Sequence, residues 1–222
     1  MTAVIGDIPA EFAIFPLGGA LLLPGGKLPL NIFEKRYIRM VDDALSSGRV
    51  IGMIQPDESR RSTPSGPALY KIGCLGRLSS FSETDDGRYL ITLTGVIRFA
   101  VQVELEVHRG YRRVRADVTR FQNDLIVEQP AAIDREELLA ALRAYFQAHG
   151  FDANWDAIEE MPDAALVNTL AMVCPFEMPE KQALLEAQTE TERASTLLAL
   201  LQMGAHSSDF GQQGGQPGRR AT

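Results

Sequence analysis

The side chains with chemistry to offer are few, and they are tested first. Gly25, Gly26 and Lys27 in "LLLPGGKLPL" bring a lysine behind paired glycines inside an apolar run. A phosphate-cradling loop needs G-x-x-x-x-G-K-[ST], so that backbone N–H groups wrap the phosphates and a hydroxyl holds magnesium. Here the leading position is Leu21, the hydroxyl position is Leu28, and Pro29 stands where a helix would begin. Nucleotide binding is excluded, and the stretch reads as a turn between two strands. Nucleophilic catalysis needs Ser or Cys beside a base and an orienting group. The three histidines, His108, His149 and His206, fall beside a turn, at a helix end and in the tail, and there is no G-x-S-x-G. Lys27, Lys35, Lys71 and Lys181 have no serine in a dyad context.

The remaining candidates weaken in the same way. Cys74 and Cys174 lie far from each other and from any His at metal-ligand spacing, which favours buried free thiols. Asp42 with Asp43, Asp85 with Asp86 and Glu159 with Glu160 are adjacent, and adjacent side chains diverge on a helix or strand where shared acid–base work needs convergence. No catalytic residue, cofactor site or metal site is therefore assigned. Arg109, Arg112, Arg113, Arg115 and Arg120 form a local basic stripe with Tyr111 and Phe121 for stacking, which keeps RNA recognition as an alternative.

The elements that carry these residues divide near residue 125. Before it, short apolar segments punctuated by proline and glycine read as strands. One helix interrupts them, with Tyr37, Met40, Val41, Ala44 and Leu45 at i, i+3, i+4, i+7 and i+8. Asp86-Gly87 marks a hairpin, and "IRFAVQVELEV" alternates Ile97, Phe99, Val101, Val103, Leu105 and Val107 inward against Arg98 and its polar neighbours outward. Val114, Ala116 and Val118 answer on the next strand. The pattern predicts a rolled, mostly antiparallel sheet or half-open barrel. After the break, Asp134 three residues before Glu137 reads as a helix cap, with a stripe through Leu138, Ala141, Leu142 and Tyr145 to Gly150. Trp155 and Ile158 lie in a short helix, Asp163 opens another that stops at Pro175, and Leu184, Leu185, Leu197, Leu198 and Leu201 face inward from one long or two broken helices. The expected fold class is α+β, with a β domain over 12–123, a helical domain over 131–204 and a disordered tail over 205–222.

Composition sets the outer limits. The 222 residues are 45% hydrophobic and 23% charged, as in an ordinary globular chain. A net charge of -7 argues against a general nucleic-acid binder. No secretory signal and no apolar run of membrane-spanning length is present, so the expected location is the cytoplasm, with no membrane partner.

In order and spacing, "FPLGGALLLPGGKLPLNIFEKRYIRMVDDAL", "VIGMIQP", "GCLGRLSSFSETDDGRYLITLTGVIRF" and "EKQALLEAQTETERASTLLALL" resemble the amino-terminal, substrate-binding domain of Lon proteases, over about residues 12 to 203. Pro16, Pro24, Gly25 and Pro29 match that family's strand-turn-strand; Phe33, Glu34, Arg36 and Tyr37 match its helix entry; Gly95, Arg98 and Phe99 match its later strand. The resemblance implies a PUA-like β domain with a helical bundle, binding unfolded or partner polypeptides without cofactor, ATPase or protease chemistry, and working with Lon or another protease. The polypeptide-binding residues expected on this reading are Leu21, Leu22, Leu23 and Pro24, as an exposed apolar loop; their packing into the core is the rival reading. Glu34 is expected to pair with Arg98. An RNA-binding PUA-like protein and an unrecognised hydrolase are the alternatives.

Overall fold

A computed structural model describes residues 8–126 and 133–211, with 207–211 described by backbone alone. Six strands form one sheet: β1 (Glu11–Pro16), β2 (Lys27–Ile32), β3 (Val50–Ile54), β4 (Ile72–Glu83), β5 (Tyr89–Glu104) and β6 (Arg112–Asp117). Their order is β2-β5-β4-β3-β1-β6, and β6 pairs back onto β5, so the sheet closes. Closure depends on the length of β5, whose first part pairs with β2 and whose last part pairs with β6. β1 and β3 run parallel, which needs a crossover. β2 and α1 (Lys35–Ser46) supply it. Tyr37, Met40, Val41 and Ala44 of α1 are buried, as their spacing predicts.

The barrel is filled by Phe12, Ile14, Leu75, Ile97, Phe99 and Val114. Phe12 meets Phe99 edge to face at 5.0 Å, a favoured ring geometry. The alternation read along β5 fails after Val101: Val103 and Val107 are 45% and 49% exposed. A bulge between Val101 and Val103 shifts the register, and beyond it Gln102, Val103 and Glu104 are all exposed, so both faces of this end of β5 meet water. Arg98, expected outward, is buried with Asp124 of the 3₁₀ segment Thr119–Leu125. The guanidinium is held through Nε at 2.9 Å and Nη2 at 2.8 Å, and Arg98 Nη1 donates to Leu185 O at 3.0 Å.

The helices after the barrel are α2 (Arg135–His149), α3 (Trp155–Glu159), α4 (Asp163–Val173), α5 (Met178–Glu186) and α6 (Glu190–Gly211). The chain forms two compact units, and the helices are shared between them: Asn168–Glu186 groups with the barrel, while residues 133–167 and those from Ala187 onward form the second unit. α5 is tied to the barrel by polar contacts: Lys181 Nζ donates to Gly19 O at 2.6 Å and Gln182 Nε2 to Ile72 O at 3.1 Å. Leu184 and Leu185 are buried in that unit. In the second unit Asp134 caps α2 by accepting from Glu137 N at 3.0 Å, and Leu142, Leu197 and Leu201 are fully buried. α6 continues past Gly204, where the tail was expected to begin, to Gly211; once a helix is nucleated, each added residue brings its own backbone bond. Residues 212–222 of the expected tail lie outside the described residues.

Candidate functional site

A groove of about 490 Å³ opens in the barrel unit between β1, α1 and the turn that joins β5 to β6. Phe12, Met40, Ala44 and Val50 give it an apolar floor. Glu11, Asp43, Ser46, Ser47, His108 and Arg113 give it a polar rim.

The rim is built by a two-residue hairpin. His108 and Tyr111 exchange backbone bonds, both at 2.9 Å, across Arg109 and Gly110, whose φ values are 49° and 94°. Two positive φ angles in a row are the twist that suits a hairpin, and Gly110 takes its share without strain. Arg109 has a Cβ and does not; the conformation costs it about 1–2 kcal/mol. Asp43 of α1 holds it there. The Arg109 guanidinium bonds Asp43 Oδ1, the Tyr111 hydroxyl donates to Asp43 Oδ2 at 2.8 Å, and His108 Nε2 lies 3.7 Å from the same oxygen. Arg39, also on α1, donates to Arg109 O at 3.3 Å. Burial, and then the bond to Asp43, push the Tyr111 phenol up to about 12.

Chemically, this arrangement offers hydrogen bonds and charge. Ser46 and Ser47 both donate their hydroxyls to Asp43 O, at 2.8 and 2.6 Å, so those protons are already engaged. Burial pushes the Cys174 thiol up to about 12, away from a reactive thiolate. Among the described residues no group of three or more His, Cys, Asp or Glu is placed to hold a metal ion. No described helix is long and apolar enough to cross a membrane.

The residues singled out from the sequence lie elsewhere. Leu21, Leu22 and Leu23 are 2%, 1% and 0% exposed, which corrects the expectation of an exposed apolar loop. The cause is the turn that follows. Gly25 N donates to Gly95 O at 2.9 Å and Gly95 N to Gly26 O at 2.8 Å, which draws the segment onto β5. A Cβ at Gly95 would sit 2.0 Å from Leu23 O, so only glycine permits the approach. Pro24 is half-buried, and its carbonyl accepts from Asn168 Nδ2 at 3.3 Å. Pro16 ends β1 and Pro29 lies in β2. Tyr37 packs on Phe15 with ring centres 4.3 Å apart, Phe99 is fully buried, and Phe33 is 66% exposed. The expected pairing of Glu34 with Arg98 does not form: Glu34 binds Arg36 at 2.8 Å, and the Arg98 charge is met by buried Asp124.

Of the basic stripe, Arg112 is buried, and the others keep part of their surface in water. Arg112 bonds Glu104, Arg113 and Arg115 both meet Glu11, and Arg120 lies over the Phe121 ring. The sequence reading named Asp43 as one of an adjacent carboxylate pair and Tyr111 as a stacking aromatic, but did not bring the two together at a groove. The available signal was Asp43 three residues after buried Met40, on the flank of the helical stripe.

A profile of the ATP-dependent protease La (LON) substrate-binding domain matches residues 11–203. The chain belongs to the Lon substrate-binding domain family. It is 25% identical over 209 residues to Lon protease 2 of Myxococcus xanthus, covering 88% of this chain and 24% of that protein. It is 27% identical over 205 residues to the Lon protease of Anaeromyxobacter dehalogenans, covering 88% and 23%. The Lon-type chain thus spans about a quarter of the length of these curated relatives. Its fold is shared with a Lon N-terminal domain protein from Xanthomonas campestris, with a TM-score of 0.58, 22% identity, and coverage of 85% of this chain and 97% of that one. The N-terminal domain of the Mycobacterium avium complex Lon protease also gives a TM-score of 0.58, at 15% identity and coverage of 86% and 97%.

Proposed function

We propose that this Lon-type chain is a non-catalytic polypeptide-binding module, and that unfolded or partner segments lie in the groove beside α1. The groove itself carries the reading: its polar rim can satisfy the backbone of a passing segment, over a base of mostly buried apolar side chains. Membership of a substrate-binding domain family supports the same role. The net charge of -7 speaks for a polypeptide over RNA, since phosphate affinity rests on an excess of cationic charge. The module needs no cofactor, works in the cytoplasm, and passes its clients to Lon or another protease.

The test is fluorescence anisotropy with a reduced, carboxymethylated and therefore permanently unfolded polypeptide. The folded parent protein serves as the control. Wild type binds the unfolded form, and Ser46→Arg or Ser47→Arg, which crowd the groove from exposed positions, weaken it about tenfold by displacing well-packed contacts. Binding undiminished in both variants, or no binding by wild type, rejects the groove.

A further inference from the structure

The second unit carries an aromatic cluster that the groove does not use. Phe146 near the end of α2 meets Phe151 edge to face at 5.7 Å and Trp155 of α3 at 5.7 Å. His149 stacks on Phe151 at 5.5 Å and 20°, and lies 4.2 Å from Tyr145. Tyr145 is buried and anchors the cluster, but the outer rings are open: Phe151 is 41% exposed, His149 is exposed, and Phe146 and Trp155 are half-buried. The Phe146–Trp155 contact holds α3 against α2. Phe151 and the outer faces beside it stay in water.

Charge decides what such a surface accepts. Asp152, Asp156 and Glu160, on the loop and helix that carry Phe151 and Trp155, are exposed and make no ion pair among the described residues. The nearby cations are spent: Arg143 on Glu159, and Arg135 on Asp163 and on Glu159 O at 2.7 Å. Arg143 also lies 4.2 Å over the Trp155 ring, so one ring of the cluster already takes a cation. Aromatic faces carry a negative quadrupole, and a carboxylate rim adds to it. The same rim repels the phosphates of RNA, the other ligand for which stacked rings would serve.

We propose that Phe146, His149, Phe151 and Trp155 form a second docking site, for polypeptide segments in which Lys or Arg stands beside an aromatic or branched aliphatic side chain. The proposal rests on the polypeptide-binding reading above and gives it a substrate preference. Segments of that composition bring a cation to the rings and carboxylates and an apolar group to Phe151.

Trp155 is the one tryptophan of the chain, so its fluorescence reports on this site and not on the groove. Tryptophan-free peptides alternating Lys with Phe, Glu with Phe, and Lys with Ser are titrated into the full chain, together with an oligouridylate. The Lys–Phe peptide is expected to shift the Trp155 emission saturably and less strongly at high salt, while the other three leave it unchanged. Phe151→Ser is expected to weaken the Lys–Phe peptide about fivefold, as loss of an interface aromatic does. Asp152→Asn combined with Asp156→Asn and Glu160→Gln is expected to weaken it about tenfold and to flatten the salt dependence. Circular dichroism verifies that these surface variants remain folded. A Trp155 response to the Glu–Phe peptide or the oligouridylate equal to that of Lys–Phe overturns the proposal, as does no saturable response at all. The anisotropy assay on Ser46→Arg separates the two sites: unfolded polypeptide bound at the groove with a silent Trp155 rejects the aromatic site alone.

Discussion

Two aspartate–arginine clusters in the barrel unit look alike on paper and differ in what surrounds them. Arg98 and Asp124 have side chains 5% and 6% exposed and meet in a two-pronged contact beneath Phe121. Asp43 and Arg109 are 30% and 45% exposed, and Asp43 stands on the rim of a groove. In the first, both charges have left water, so each needs the other; in the second, water substitutes for either partner at little cost. The buried cluster is a fixture that pins the 3₁₀ segment to β5, with Arg98 N also donating to Asp124 at 2.9 Å. The rim cluster can exchange partners with water. Burial, and not residue type, assigns the roles.

The largest effect expected from breaking this contrast is at Asp124. Asp124→Ala strands a buried guanidinium and is expected to cost about 3–5 kcal/mol in urea denaturation. A loss below about 1 kcal/mol would place the pair with ordinary surface bridges. Leu22→Ala comes next, at about 2–5 kcal/mol for a buried leucine, with polypeptide affinity per folded molecule unchanged. An affinity loss without a stability loss would return Leu22 to the binding surface. Asp43→Asn is expected to cost less than about 1 kcal/mol overall. Its signature is local: faster amide exchange at residues 108–111, where Arg109 loses the partner that holds its positive φ.

The smallest effect is confined to alkaline pH. The Tyr111 phenol is raised from 10.0 to about 12 in the fold, so the folded chain keeps a proton that the unfolded chain has released. Stability from this group is complete below pH 10 and falls as pH rises toward 12. Thermal melts of wild type and Tyr111→Phe across that window should converge as pH rises, because only wild type has this contribution to lose. Parallel curves would show that neither burial nor Asp43 raises the phenol.

Local pattern carried much of the fold. The stripe through Tyr37, Met40, Val41 and Ala44, the cap at Asp134 and the hairpin at Gly87 are all interactions between residues near in sequence, so their spacing displays them. Failures came where one residue altered a register or a distant group supplied a partner. Past the bulge at Val101 both faces of β5 meet water, so Val103 is exposed although its hydropathy argues for the inside. Leu21, Leu22 and Leu23 could not be told from an exposed loop, because the contact that buries them lies with Gly95 on another strand. Asp43 reads as a surface charge until the turn at Arg109 is brought against α1.

By itself the sequence determined the α+β class, the single early helix, the order of strands before helices and the resemblance to a Lon substrate-binding domain, since each rests on periodicity, turn residues and motif order. Tertiary structure alone decided which arginine is buried, which apolar loop is core, where a groove opens and which rings stay exposed. Those outcomes depend on contacts between residues far apart along the chain, whose free energy comes from desolvation and close packing and leaves no mark in local spacing.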